Sequence, residues 1–163
     1  MELSVLELQE LSFLLQRINL KRKNNSCKEL PTHLVIRFNN SLWSGNFVTI
    51  HDKYHIKKLD SQYESECVNV SNIFKNIELD NVPDSFLNGS VNIVSVTNKL
   101  VELIKETTAN NTEKSIQTIL SPILFNAVNL DNDFVLPFLI LDKNATYELI
   151  SIVSSEFLEK SKP

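Results

Sequence analysis

The chain has 163 residues, a net charge of −4 and only two glycines, Gly45 and Gly89, where average usage would give roughly eleven. Two isolated glycines cannot supply a GxGxxG turn, a GxxxxGKS/T loop or a GxSxG elbow. Dinucleotide folds, P-loops and nucleophile elbows, which need backbone close to a ligand or at positive φ, are therefore excluded. The acidic balance argues against a domain-wide nucleic-acid footprint, and 42% hydrophobic with 22% charged residues specify a conventional core in one domain.

Ser4-Val5-Leu6-Glu7 has the form of a capping box and predicts a helix from Val5 to Leu20. Leu8, Leu11, Leu15 and Ile18 form one apolar stripe, and Leu6, Phe13 and Leu20 repeat every seven residues on another. Two stripes need two neighbours. The second is either sandwiched within the domain or offered to a partner subunit, which makes Leu6, Phe13 and Leu20 candidate partner-binding residues. The polar stretch from Lys21 to Pro31 reads as a linker or loop. Its Lys21, Arg22 and Lys23, with Lys57 and Lys58 further on, are a candidate basic patch, although cations at a helix end also complement its dipole.

The period then changes. His33–Phe38, Asn46–His51, Tyr54–Leu59 and Glu66–Val70 are short and rich in β-branched or aromatic residues, predicting an antiparallel meander of three or four strands. Asn39 to Gly45 closes the first pair, and Leu42 and Trp43 within it are either an exposed binding anchor or a loop folded back on itself. Ser71 caps a short helix through Ile77, and 80–84 is a loop. Ser90–Val96 alternates like a strand, and Thr97 caps a helix bearing Leu100, Val101, Leu103 and Ile104. Thr112 opens another helix, which Ser121-Pro122 interrupts. Phe134–Leu141, the most apolar run, predicts a buried strand whose Pro137 puts it at an edge, at a bulge or after the proline. Asp142 to Asn144 turns into a final helix carrying Leu149, Ile150, Ile152, Val153, Phe157 and Leu158. The fold class is thus α+β: an N-terminal helix, the meander, then helices with one or two further strands. Residues 1–163 are one globular domain, with a polar loop near 21–31 and a short C-terminal tail.

Chemical constellations are sparse. His51, Asp52, His55 and Cys67 are the only cluster that suggests a metal or a dispersed catalytic site, and nothing in their spacing fixes the further ligands that zinc requires. Asp131 and Asp133 read as turn formers. Catalytic, metal and cofactor residues are assigned as none. Six N-x-S/T triplets follow from asparagine richness rather than secretion; two cysteines and no signal or spanning segment suggest cytoplasm or nucleus. The element order resembles that of ubiquitin-conjugating and RWD-type domains, but the HPN triplet and the catalytic cysteine after it are missing, so no family is assigned. The expectation is a non-enzymatic adaptor or structural subunit of an intracellular eukaryotic complex, a hetero-oligomer held by protein–protein contacts. The alternatives are a nucleic-acid module using the basic patch, or an enzyme with a non-contiguous His/Cys/Asp site.

Overall fold

The computed structural model describes residues 1–47, 77–110, 123–142 and 144–154. The capping box forms: Glu7 N donates to Ser4 Oγ (3.2 Å) and Ser4 N to Glu7 Oε1 (2.9 Å). It follows β1 (Glu2–Ser4) and starts α1 (Val5–Asn24), which runs past the predicted end at Leu20 into the expected loop. The helix stops in a Schellman arrangement, with Cys27 N donating to Arg22 O (2.8 Å) and Ser26 N to Lys23 O (3.1 Å). That motif needs a left-handed residue, usually glycine, and this glycine-poor chain uses Ser26 at φ 58°. Ser26→Gly should therefore raise the unfolding free energy by about 1 kcal/mol in urea titrations. What remains of the predicted loop is tied down, because the Asn19 carboxamide both donates to Leu30 O (2.9 Å) and accepts from Leu30 N (2.7 Å).

Beyond it, β2 (His33–Phe38) pairs with β3 (Ser41–Asn46) around Asn39 and Asn40, both at positive φ. Two such residues make a primed hairpin turn, whose twist matches that of the strands. Residues expected to close the hairpin as a loop are thus a strand, and Trp43 lies opposite Ile36 with its side chain in the core. The predicted strands over 46–51, 54–59 and 66–70, and the helix over 71–77, lie wholly or largely outside the described residues, as does the helix after Thr112.

Further along come a 3-10 turn (Leu79–Asn81) and α2 (Asp84–Leu87), then α3 (Ile93–Asn110). The strand expected at Ser90–Val96 is mostly the first turn of α3. Asn92 Oδ1 accepts from Val94 N (2.8 Å) and Ser95 N (3.4 Å), so Asn92, not Thr97, supplies the cap. Thr97 instead donates from its hydroxyl to Ile93 O (2.7 Å) inside the helix. The buried Val96, Leu100, Val101 and Ile104 follow the helical period and pack on α1.

The chain closes with β4 (Ile123–Asn129), β5 (Val135–Ile140) and β6 (Thr146–Val153). β6 replaces the predicted final helix over the described part of that segment. Its pairing with β2 slips at one point, where Val35 faces Ser151 and Ile36 faces Leu149, leaving Ile150 as an extra residue. This bulge spaces the buried Leu149 and Ile152 three apart, which imitates a helical repeat in sequence. The strands form one antiparallel sheet in the order β1-β6-β2-β3-β4-β5. The protein is a mixed α+β fold, with α1, α3, Leu34, Ile36, Trp43, Ala127, Leu149 and Ile152 in one core.

Candidate functional site

The last strand of the sheet is its most apolar. Among the described residues β5 pairs with β4 alone, and residues 134–141 contain no charge. Phe134, Val135 and Ile140 are 57%, 51% and 46% exposed, so three of the large exposed hydrophobics belong to this strand or its approach. An apolar strand with an open edge is a template for association unless it is blunted.

The blunting device is Pro137. Asn129 N donates to Phe134 O (2.7 Å), and Leu136 and Phe138 stand opposite Ala127 and Phe125. Hydrogen-bonded pairs alternate along an antiparallel ladder, so residues 134, 136 and 138 direct their backbone groups toward β4. Pro137, between them, has its nitrogen on the open side. The missing N–H costs the internal ladder nothing and removes a donor from the middle of the free edge. Continuous backbone pairing along this edge is thereby disfavoured, while the Val135 and Ile140 side chains stay accessible.

Charges frame the strand. Asp131 and Asp133 precede it and Asp142 follows it, all exposed. As expected, the first two belong to a turn: Asp131 N donates to Asn129 Oδ1 (2.8 Å), Phe134 N to Asn132 Oδ1 (3.0 Å), and Asp133 takes positive φ. Asp131 Oδ2 also accepts from Leu42 N (3.2 Å), fastening this turn to β3. An apolar groove of about 250 Å³ lies between α3 and β6, with the exposed Met1, Val94 and Ile150 on its walls.

The residues singled out in the sequence separate into three groups. Leu6 and Phe13 are buried in the core and Trp43 joins them, so the second stripe of α1 is filled from within the chain; Leu42 is half-buried. Leu20 alone of that stripe is open to solvent, at 66% exposure. In the basic cluster Lys21 and Lys23 are exposed, but Arg22 is 2% exposed and turned inward. It donates from Nε to Lys28 O (2.7 Å), from Nη1 to Phe86 O (2.8 Å) and from Nη2 to Gly89 O (2.6 Å). It joins the end of α1 to the end of α2. Lys57, Lys58, His51, Asp52, His55 and Cys67 lie outside the described residues.

Sequence reasoning missed the groove beside β6 because β6 itself was read as a helix. It also missed Glu10, a buried carboxyl 2.8 Å from Arg17 Nη2. Burial raises the Glu10 pKa to about 8 against the opposing pull of the Arg17 charge and hydrogen bond. Among the described residues no group of three His, Cys, Asp or Glu side chains is placed to hold a metal, and no helix is long and apolar enough to cross a membrane. No family model, curated protein or solved structure matches the chain.

Proposed function

We propose that this chain is a non-enzymatic adaptor or structural subunit of a multiprotein complex, acting through protein–protein interaction at the outer edge of β5. The observation that carries the reading is the exposure of Phe134, Val135 and Ile140 on an end strand with no charge of its own. Its acidic frame of Asp131, Asp133 and Asp142 suits a partner that surrounds an apolar contact with lysine or arginine, the usual plan of a specific interface. Pro137 favours side-chain docking over strand addition. A cytoplasmic or nuclear setting in a eukaryotic cell fits the use of Cys27 as a thiol, which accepts a hydrogen bond from Gly89 N (3.3 Å).

The test uses the double variant Val135→Lys with Ile140→Glu. Both side chains are about half in solvent, so stability should change by no more than about 0.5 kcal/mol per site. The wild-type chain, purified from its own cells, is expected to elute in a complex from which the variant is missing. A variant that stays in the complex, or a wild-type chain that elutes as a free monomer, overturns the proposal. A photo-crosslinking residue at position 134, with the isolated exposed position 20 as control, places the partner on β5 directly.

A further inference from the structure

Asn88-Gly89 is the one Asn-Gly step in the chain, and the structure places it under a clamp. Asparagine followed by glycine is the step at which a backbone nitrogen most readily attacks the preceding side-chain carbonyl, because glycine has no Cβ to hinder the approach. Asn88 is exposed and its Nδ2 donates to Asp84 O at only 3.3 Å. Gly89 takes φ 75°, a conformation that L side chains avoid, and a Cβ built there would meet nothing within 4 Å. Glycine is therefore present for backbone conformation and not for lack of space.

Four contacts from the end of α1 hold the segment. Gly89 N donates to Cys27 Sγ (3.3 Å), Gly89 O accepts from Arg22 Nη2 (2.6 Å), Phe86 O accepts from Arg22 Nη1 (2.8 Å), and Leu87 O accepts from Asn25 Nδ2 (3.2 Å). These partners are 62 to 67 residues apart in the chain. Asn88 itself lies at φ −139°, ψ 139°, which rotates the Gly89 nitrogen well away from its own Cγ. Ring closure requires that nitrogen to leave Cys27 and swing about the Asn88 Cα–C bond, a local opening of the clamp.

We infer that Asn88-Gly89 is a site of spontaneous deamidation by water, and that the Arg22–Cys27 clamp controls its rate. In the reaction the Gly89 nitrogen bonds to Asn88 Cγ and its proton passes to solvent. Nδ2 takes up a proton from solvent, the Cγ–Nδ2 bond breaks, and ammonia leaves. Water then opens the cyclic imide at either carbonyl, giving aspartate or isoaspartate at position 88. The isoaspartate product carries an extra methylene in the backbone and displaces Gly89 O from Arg22, so the modification disengages the clamp that restrained it.

The experiment follows the peptide containing residue 88 by mass spectrometry during incubation of the full chain at neutral pH, native and in guanidinium, for wild type and Cys27→Ala. The native wild type should react at least about tenfold more slowly than the denatured chain. Cys27→Ala should accelerate the native reaction about fivefold, the expected effect of losing one hydrogen bond, and leave the denatured rate unchanged. Equal native and denatured rates, or a folded Cys27→Ala chain that reacts like wild type, overturn the inference. Hydrogen exchange at the Gly89 amide of the wild type needs no substitution and decides the matter if the variant fails to fold. Protection comparable to the native slowing supports the clamp; free exchange refutes it.

Discussion

Arg22→Met is expected to lower the unfolding free energy by about 3 kcal/mol or more, and Arg22→Lys to recover little of the loss. The guanidinium is 2% exposed, and its three donated bonds of 2.6 to 2.8 Å end on backbone carbonyls. Bonds from a charged donor contribute about 1.5–3 kcal/mol each, and truncation leaves buried acceptors unmatched, with partial relief where water enters. A positive charge is tolerated here because three carbonyl dipoles converge on it in the last turn of α1, where the helix dipole also favours a cation. Lysine fails as a substitute because a single ammonium cannot span Lys28 O, Phe86 O and Gly89 O from the directions that the planar fork uses. Lys21→Ala in the same helical turn, removing an exposed side chain, should stay within about 0.5 kcal/mol. Urea titrations of the three variants check this ordering, and an Arg22→Met chain as stable as Lys21→Ala refutes the clamp as a source of stability.

Arg22 also shows why parts of this fold were legible in the sequence and others were not. α1 and its capping box depend on residues three or four apart, and β2 on a short apolar run, so local pattern suffices for both. Pro137, which has no N–H to give a ladder, narrows the 134–141 strand to an edge, a bulge or a start after the proline, and of these the described sheet shows the edge. Arg22 sits between two lysines that do face solvent, and its partners at Phe86 and Gly89 are 64 and 67 residues away. No local signal separates it from its neighbours. The start of α3 was misread because Val91 and Ile93, and again Val94 and Val96, stand two apart as in a strand, whereas the deciding interaction is the Asn92 side chain on two amides. β6 was misread because its bulge at Ile150 converts a two-residue period into a three-residue one. Trp43 fell between two expectations, since the Asn39-Asn40 turn is short enough to carry the tryptophan into the sheet. The 134–141 run reads in sequence as a buried strand, but at the end of the described sheet Phe134, Val135 and Ile140 are exposed, while the stripe on α1 is largely core.

Glu10 gives the strongest expected dependence on pH. Its carboxyl is 3% exposed while Arg17, its partner, is 40% exposed and also donates to Ile77 O (3.0 Å). The half-solvated guanidinium cannot offset the desolvation of a buried carboxylate, so the folded state keeps the proton up to about pH 8, against an ordinary value of 4.5. Between those values the unfolded chain has released a proton that the folded chain still holds. Raising the pH therefore favours unfolding, with a slope from this group approaching about 1.4 kcal/mol per pH unit. The contribution is fully present below pH 4.5 and is lost as pH rises toward 8. His33 acts in the opposite sense, because burial lowers its pKa and its contribution is lost as pH falls below the usual 6.5. That contribution is common to wild type and Glu10→Gln and cancels in their difference. Glutamine keeps an oxygen to accept from Arg17 and never ionises. The two chains should be similarly stable near pH 5, and the glutamine variant should exceed wild type by an amount that grows with pH and levels off above pH 8. Parallel stability profiles from denaturant titrations across this range would show that Glu10 is ionised in the folded state throughout, and that Arg17 outweighs burial after all.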